Sequence, residues 1–422
     1  MVKKVGIIGL GTVGEATLES IKRYCLLVEK RTSLKIKVEK ICDICPEKKK
    51  LGDLFSLPFT TDPYEIINDP HIDIVVELIG GINPAKEYLI HSLKKGKDVV
   101  TANKALLAEL GEQLFETAGK YERAIGCEAS VAGAIPLIKS LSQGLVGCEA
   151  KKLYGILNGT TNYILYKMHK EGTTFSLALK QAQEKGFAEK KPDLDIEGKD
   201  TLHKLCILTY LCFGVWPPLK SLYVEGISQI SPLDITYAEE LNYRIKLLAV
   251  AKREKDGLDL RVHPTLINKD HPLAEVPLVF NAIWVEAEPS GELLFFGKGA
   301  GGTPTSSAII SDIVSVSFNN VRFIPTQEKI AIKSINDLRT RYYIRFMAVD
   351  KPGVLAEISK ILASYNISIA SVTQKERGKE KFVPIVMITH EAKEADLKKA
   401  VVKIDKLPVI KPPSQLIRIE SL

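Results

Sequence analysis

The sequence of 422 residues is too long for one compact core, so two or three domains are expected. Its composition is that of a globular protein, with 45% hydrophobic and 26% charged residues. The net charge of +7 is spread along the chain, and its densest run is only Lys48–Lys50. This distribution excludes the concentrated basic surface of a nucleic-acid-binding protein, so no nucleic-acid partner is expected.

The cysteines and the apolar stretches bear on the compartment. An odd number of cysteines in a large chain argues against a disulfide scaffold and predicts a reducing, cytoplasmic location. Cys42 and Cys45 form a lone CxxC pair; without a second pair a zinc ribbon is not favoured, and a redox role stays open. The longest charge-free stretch, 205–219, contains Pro217 and Pro218, which predicts a buried helix and no membrane span.

The first region, 1–130, alternates short apolar strands with helical patterns. The predicted strands are Val5–Gly9, Ile36–Cys42, Ile74–Ile79 and Asp98–Thr101, and the predicted helices are Glu15–Val28 and Pro84–Lys95. This alternation predicts an α/β domain with a doubly wound parallel sheet.

The middle region, 131–320, mixes helices and strands without that alternation. The predicted strands are Leu153–Leu157, Arg261–Leu266 and Ala282–Ala287, and the predicted helices are Asn162–Lys170, Thr201–Phe213, Tyr237–Arg253 and Thr305–Val316. We expect an α+β substrate domain here, with the last helix able to return to the first domain.

The chain then passes through a predicted linker, 321–340, into a regular C-terminal region, 341–422. Its predicted strands are Tyr342–Val349, Ile367–Gln374, Phe382–Thr389 and Gln415–Ile419, and its predicted helices are Pro352–Tyr365 and Lys393–Ile404. The order βαββαβ predicts a ferredoxin-like fold.

A glycine motif follows the first strand and opens the first helix. It consists of Gly9, Leu10, Gly11, Thr12, Val13 and Gly14. In a Rossmann-type domain the first glycine makes the turn, the second admits a pyrophosphate, and the third lets helix and strand pack closely. The free amides of the helix N-terminus then bind the phosphates. The motif therefore predicts a dinucleotide site.

The choice between NAD and NADP stays open. Asp43 ends the second strand, where a carboxylate accepts hydrogen bonds from a ribose 2′-hydroxyl and favours NAD. The nearby Lys48–Lys50 run suits a 2′-phosphate, although a solvated helix face explains these lysines equally well.

An acidic segment, 186–200, enters the predicted helix 201–213. Asp200 and Lys204 lie four residues apart and share one helical face, where they suit an acid–base pair acting on an alcohol. The alternative, an ordinary charge pattern at a helix start, stays open. Lys104 follows the fourth strand and is predicted to point into the crevice where such sheets bind ligands; a solvated lysine is the alternative.

Several motifs together resemble homoserine dehydrogenase over residues 5–320. They are Gly9–Gly14, Thr101–Ala108, Cys127–Pro136, Gly155–Asn162, Gly186–Asp200 with His203–Leu205, and Gly299–Gly301. The resemblance implies NAD(P)-dependent interconversion of L-homoserine and L-aspartate 4-semialdehyde, on the route to threonine, methionine and isoleucine. It also makes the middle region the substrate and dimerisation domain.

The resemblance also implies roles for individual residues. Lys204 matches the proton donor and acceptor, and Lys104 matches a lysine beside the nicotinamide and the substrate. The implied substrate contacts are Gly186, Glu189, Asp195 and Asp200, and Gly301 joins the cofactor contacts.

A monovalent-cation site, usually for sodium, is implied as well. Its members are Glu128 and the backbone carbonyls of Val131, Gly133 and Ile135, an all-oxygen set that suits a hard cation. One departure is Cys42, which stands where many members carry the arginine that anchors a 2′-phosphate.

The C-terminal region resembles an ACT domain through Asp350–Leu355 and Asn366–Ile369. The resemblance implies an amino-acid effector, L-threonine in this family, near Gly353 and Asn366, and a homodimer or homotetramer. A domain serving only dimerisation is the alternative. Two further functional hypotheses are a non-catalytic amino-acid sensor and a same-fold dehydrogenase acting on an acyl phosphate. No cysteine beside a base supplies the thiol that the second hypothesis needs.

Overall fold

A computed structural model describes residues 1–319, 330–375 and 382–422. The described residues divide into two compact units. The first comprises 1–151, 203–220 and 285–319, and the second comprises 152–202, 221–284 and the described residues from 330 to 422. In these described ranges, no helix has the length and apolar character needed to span a bilayer.

The first unit is built on a six-stranded sheet in the order β3-β2-β1-β4-β5-β6. Its strands are β1 (Val2–Ile8), β2 (Lys35–Cys42), β3 (Phe59–Thr60), β4 (Ile74–Glu77), β5 (Asp98–Thr101) and β6 (Ile125–Gly126). Every neighbouring pair is parallel. This order is that of a doubly wound dinucleotide-binding sheet, and the strand order reverses between β1 and β4.

Helices cover this sheet. They are α1 (Thr12–Thr32), α2 (Lys49–Phe55), α3 (Tyr64–Ile67), α4 (Ala85–Lys94), α5 (Lys104–Lys120), α6 (Leu137–Lys139) and α12 (Gly302–Ser317), the last preceded by strand β12 (Gly291–Lys298). β4 and β5 are buried at every position because helices cover the strands of a parallel sheet on both faces. The late helix α12 packs in this core beside α1, where the Ser20 and Ser306 hydroxyls lie 2.6 Å apart.

The middle part of the chain contributes most of the second unit. Its elements are α7 (Gly159–Glu171), α8 (Phe175–Glu184), α9 (Asp193–Ile196), β8 (Tyr223–Val224), α11 (Pro232–Glu240), β9 (Tyr243–Glu254) and β10 (Gly257–Asn268). Three further elements cross the division between the units: β7 (Glu149–Ile156), α10 (Lys199–Phe213) and β11 (Phe280–Glu288).

The predicted helix over Tyr237–Arg253 is wrong. Helix α11 ends at Glu240, and the chain continues as strand β9. β9 pairs with β10 on one side and β7 on the other, so Ile245–Ala251 is buried on both faces. A continuous apolar run has no alternation to mark it as a strand, and its Leu, Ala and Lys residues also favour helices.

The C-terminal region has the predicted βαββαβ order, with one additional two-residue strand before the second helix. Its elements are β13 (Arg339–Val349), α13 (Val354–Ser364), β14 (Ile369–Gln374), β15 (Phe382–Thr389), β16 (Ala392–Lys393), α14 (Glu394–Ile404) and β17 (Ile410–Glu420). The sheet runs β17-β13-β15-β14 with antiparallel neighbours, and a separate apolar core lies between it and the two helices. The ferredoxin-like prediction is therefore confirmed.

β17 also pairs in parallel with β10, over Arg418–Glu420 and Thr265–Ile267, so one sheet runs from the middle part into the C-terminal domain. Of the predicted linker 321–340, residues 321–329 lie outside the described residues. The rest is tied to β10: the Leu258 N–H donates to the Ala331 carbonyl (2.8 Å), and the Lys333 N–H donates to the Leu258 carbonyl (2.9 Å).

Candidate active site

The glycine turn after β1 has the geometry that its sequence predicts. Gly9 adopts φ +100°, and a Cβ there would lie 2.7 Å from the Leu78 carbonyl carbon. A Cβ on Gly14 would lie 2.0 Å from the Gly9 carbonyl oxygen. By contrast, a Cβ on Gly11 would meet nothing within 4 Å. Gly9 and Gly14 therefore serve the packing of the turn, whereas Gly11 leaves space for a ligand beside the first turn of α1.

A cavity of about 420 Å³ opens at this turn, where the strand order reverses. It is lined by Gly9 and Gly11, by Asp43, by the loop Leu78–Gly80, and by Pro63, Pro84 and Tyr88. The Oδ2 atom of Asp43 accepts the Leu10 N–H at 2.7 Å, and Oδ1 accepts the Cys45 N–H at 2.9 Å. Asp43 thus fixes the glycine turn and also lines the cavity.

The Lys48–Lys50 run follows Asp43 closely in the chain but does not line this cavity. Lys48 pairs with Glu15 in the first turn of α1 (3.6 Å), whereas Lys49 and Lys50 are exposed at the start of α2. Part of the predicted phosphate-binding charge is therefore engaged within the protein.

Glu77, at the end of β4, is a candidate site residue that the sequence analysis did not single out. It is fully buried, and its Oε1 atom accepts the Ile79 N–H (2.8 Å) while Oε2 accepts the Thr101 hydroxyl (2.6 Å). Burial raises the pKa of this carboxyl group, against hydrogen bonds that lower it. Glu77 holds together the two loops that follow β4 and β5. The sequence feature that could have identified it is a glutamate at the end of an apolar strand.

Lys104 begins α5, directly after β5, and is half-buried. Its neighbour Asn103 caps the helix by accepting the Leu106 N–H (3.1 Å) and donates to the Gly81 carbonyl (2.5 Å). The cap places Lys104 at the carboxyl edge of the sheet, on the loops that Glu77 also holds.

In the second unit, Asn158 brings two predicted substrate residues together. Its Nδ2 atom donates to Asp195 Oδ1 (2.7 Å) and to Asp200 Oδ2 (2.9 Å). Its Oδ1 atom accepts the Thr161 N–H at the start of α7 (2.8 Å). The sequence analysis quoted Asn158 within a motif without giving it a role, because only the fold shows residue 158 reaching residues 195 and 200.

The other predicted substrate residues are less enclosed. Gly186 and Glu189 are both exposed, in the loop between α8 and α9. This loop is attached at two points: the Thr160 hydroxyl donates to the Phe187 carbonyl (2.6 Å), and the Gln183 amide donates to the Glu189 carbonyl (3.0 Å). Glu189 thus shares this loop with Gly186 and is not one of the two carboxylates that Asn158 joins.

Lys204 lies on α10, one turn after Asp200, and is only 7% exposed. Asp200 is 5% exposed. The shared helix gives them one face, as their spacing predicts.

Glu128 is buried in the first unit and binds the start of α6. Its two carboxylate oxygens accept the N–H groups of Ile138 (2.8 Å) and Lys139 (2.9 Å). Burial raises its pKa, partly offset by these amides. Ala132 and Gly133 both have positive φ, which curls the following loop. Its carbonyl groups include those of Val131, Gly133 and Ile135.

Gly301 and the two predicted effector residues take positive φ at helix ends. Gly301 (φ +119°) caps α12, whose next residue packs against α1. Gly353 (φ +94°) precedes α13, and Asn366 (φ +56°) follows it. Because α13 separates them, Gly353 and Asn366 do not meet within one chain.

All seven cysteines are free thiols. Burial raises the pKa of Cys42 to about 12, with Asp43 adding to the shift, and burial raises the pKa of Cys206 to about 12. Such thiols stay protonated at neutral pH and are poor nucleophiles.

Comparison with known proteins agrees with this architecture. Family models match three consecutive parts of the chain: "Homoserine dehydrogenase, NAD binding domain" at residues 9–128, "Homoserine dehydrogenase" at 136–314, and "ACT domain" at 342–409. The homoserine dehydrogenase of Neisseria gonorrhoeae is 40% identical, covering 99% of this chain and 98% of its own length. That of Pseudomonas aeruginosa is 39% identical, covering 99% of both chains.

Solved structures give the same result. The crystal structure of a homoserine dehydrogenase from Thiobacillus denitrificans superposes with a TM-score of 0.94 at 40% identity, covering 100% of this chain and 98% of that one. A hyperthermophilic archaeal homoserine dehydrogenase in complex with NADPH has a TM-score of 0.66 at 26% identity, covering 77% of this chain and 100% of its own. The chain therefore belongs to the homoserine dehydrogenase family, as an NAD(P)-binding oxidoreductase with a C-terminal ACT domain.

Proposed function

We propose that Lys204 transfers the proton in the interconversion of L-homoserine and L-aspartate 4-semialdehyde. In the reductive direction its ammonium gives a proton to the carbonyl oxygen of L-aspartate 4-semialdehyde, and in the oxidative direction its amine takes the proton of the homoserine hydroxyl. The nicotinamide, when bound, supplies or accepts the hydride at the substrate's 4-carbon. A lysine suits this role because one nitrogen both donates and accepts.

The observation that carries the proposal is the double hydrogen bond of Asn158. It holds Asp195 and Asp200 together at the start of α10, so their two negative charges converge one turn before Lys204. Two carboxylates held close by a neutral amide suit the α-ammonium group of an amino acid. Glu189 and Gly186 are proposed to close over the substrate from the loop before α9.

The proposed cofactor contacts are the six residues of the glycine turn, Asp43, Lys104 and Gly301. The apolar wall of Pro63, Pro84 and Tyr88 suits an adenine ring. At the ribose 2′-position, Asp43 is proposed to favour NAD, whereas the exposed Lys49 and Lys50 are proposed to favour the 2′-phosphate of NADP. Both nucleotides stay candidates. Comparing kcat/KM for NAD and NADP measures this discrimination directly.

A sodium ion is proposed at Glu128 with the carbonyls of Val131, Gly133 and Ile135. In the described part of the chain, no N–H or O–H donates to the Val131 or Gly133 carbonyl oxygen, so both are available as ligands. The Ile135 carbonyl accepts the Leu137 N–H (2.7 Å) and retains one lone pair. Such a set fits a weakly charged, hard cation that braces the loop after β6.

Regulation and assembly are proposed on the resemblance alone. L-Threonine is proposed to bind the ACT domain near Gly353 and Asn366, with a second copy bringing the two positions together in a homodimer or homotetramer. The proposed domain bounds are 1–130, 131–320, a linker at 321–340, and 341–422. A reducing cytoplasmic location stays a prediction from the cysteine content.

Replacing Lys204 tests the proposed chemistry. Lys204→Ala is expected to lower kcat about 1,000-fold, since a positioned acid–base group contributes ~100- to ~10,000-fold. NADPH affinity, measured by the fluorescence of the bound nucleotide, is expected to stay unchanged. Lys190→Ala, which removes an exposed lysine of the acidic segment, is the matched control. Full activity in Lys204→Ala would overturn the assignment.

A further inference from the structure

Residues Tyr223–Ser228, termed here the bridging segment, contact the ACT domain on one side and the acidic segment on the other. All of these residues lie in the second unit. No sequence motif marks the bridging segment.

The ACT side of the contact is a buried arginine on β17. Arg418 is 1% exposed, and its Nη1 atom donates to Glu225 Oε2 (2.8 Å) while Nη2 donates to the Tyr223 hydroxyl oxygen (3.0 Å). The Tyr223 hydroxyl in turn donates to Glu225 Oε2 (2.7 Å). The arginine thus holds the first residue of β8 and the residue that follows the strand.

The same arginine is fixed within the ACT domain. Its Nε atom donates to Glu394 Oε2 (3.0 Å), at the first residue of α14, and Glu394 is fully buried. Burial alone would raise the pKa of Glu394, but Arg418 and Lys398 lower it overall. A buried guanidinium with carboxylates on two sides has one strongly preferred position, because moving it leaves a charge unpaired.

The contact with the acidic segment combines backbone and side chains. The Ile227 N–H donates to the Ile196 carbonyl (2.9 Å), and the Ser228 hydroxyl donates to Glu197 Oε1 (2.9 Å). A Cβ on Gly226 would lie 2.3 Å from the Ile196 carbonyl oxygen, so the backbones of the two segments touch at Gly226. Ile196 and Glu197 directly follow Asp195, which Asn158 joins to Asp200.

We infer that Arg418 and Glu225 are positioning residues for the two protein carboxylates that are proposed to bind the substrate. The ACT strand β17 contributes the guanidinium that seats the bridging segment, and the bridging segment supports α9, which carries Asp195. The ACT domain is therefore part of the structure that shapes substrate binding, before any effector binds. This inference rests on the proposed role of Asp195 and Asp200.

The chain supplies an internal control for this inference. A second ACT residue, Arg345 on β13, donates from Nε to Asp234 Oδ1 on α11 (2.7 Å), and Asp234 is fully buried. This pair also joins the ACT domain to the middle part of the chain. Its described contacts lead to the start of α11 and not to residues 193–200.

The test compares Glu225→Gln with Asp234→Asn in the full-length enzyme. Glu225→Gln removes the charge that Arg418 binds, and we expect KM for L-aspartate 4-semialdehyde to rise about tenfold, because Asp195 would no longer be held where it is proposed to bind the substrate. NADPH affinity is expected to stay unchanged. Asp234→Asn is expected to lower thermal stability at least as much while leaving KM within about twofold.

Equal KM values in Glu225→Gln and the unmodified enzyme would overturn the inference, as would an equal rise in Asp234→Asn. A double-mutant cycle with Asp195→Asn separates this failure from failure of the proposed site. If Asp195→Asn leaves KM unchanged, the proposed substrate site is wrong. If Asp195→Asn raises KM and Glu225→Gln adds its full effect independently, the site stands and the positioning role is wrong.

Discussion

Two candidate binding regions of the molecule are built by different means. The proposed cofactor region relies on backbone: Gly9 and Gly14 permit a close turn, and Gly11 leaves space beside the cavity that it lines. The proposed substrate region relies on polar side chains that are far apart in sequence, with Asn158 joining Asp195 and Asp200. A short motif therefore identifies the first region, whereas the second becomes visible only in the folded chain.

This difference has an energetic consequence. A glycine turn depends on the absence of side chains, so an added side chain clashes with the neighbouring backbone and disrupts the turn locally. A network of buried polar groups depends on each partner, because removing one leaves another unsatisfied. We therefore expect the two regions to respond differently to substitution.

The largest effect is expected from Gly14→Ala. The added Cβ would lie 2.0 Å from the Gly9 carbonyl oxygen, so the turn must open and NADPH affinity should fall by about 100-fold or more. Gly11→Ala sharpens the comparison, because its Cβ meets no protein atom within 4 Å. It should keep the thermal stability of the ligand-free protein and still weaken NADPH binding. Calorimetry and nucleotide titration measure both; unchanged affinity in Gly14→Ala would contradict the steric account.

The next effect is expected from Asn158→Ala. Without the amide the two carboxylates repel each other, and kcat/KM for the semialdehyde should fall about 30-fold, since each lost hydrogen bond to a charged group costs ~1.5–3 kcal/mol. The helix α7 also loses its cap, at about 1 kcal/mol of stability.

Thr174→Ala is the matched control for Asn158→Ala, because it removes the cap of α8 and leaves the carboxylates untouched. It should lower stability slightly and preserve kcat/KM. Equal losses of kcat/KM in both variants would mean that Asn158 acts only as a helix cap.

The smallest effect concerns acid stability. Glu420 is buried, which alone raises its pKa, but Arg261 and Lys252 lower it below its ordinary value of about 4.5. A lowered folded pKa contributes stability that is complete above the ordinary pKa of the carboxyl group and is lost as the pH falls through the folded value. Urea unfolding of Glu420→Gln at pH 7 and at pH 3.5 should show a smaller loss on acidification than the unmodified chain. An identical loss of stability in both proteins would show that Glu420 does not contribute to the acid dependence.

Much of the fold was readable from the sequence because its signals are local. The strand–helix alternation and the glycine turn predict the first unit, and six well-separated elements predict the ACT domain. Strand β9 was misread because its pairing on both sides, with β7 and β10, hides the alternation of a surface strand. Pairing partners distant in sequence decided that element.

The site divides in the same way. Asp200 and Lys204 share a helix, so their spacing predicted one face. Asn158 and Glu77 were not singled out as candidate site residues because their contacts depend on partners brought in by the fold. The contact from Arg418 to Glu225 spans nearly half the chain, and neither residue belongs to a motif.

The central claim is that the two carboxylates joined by Asn158 bind the substrate, whereas the glycine turn binds the cofactor. Its most direct test is the Michaelis constant for L-homoserine of Asp200→Asn at saturating NADP. The account predicts a rise of about tenfold or more, because the variant loses a charged partner of the substrate's ammonium group. A Michaelis constant equal to that of the unmodified enzyme would contradict it.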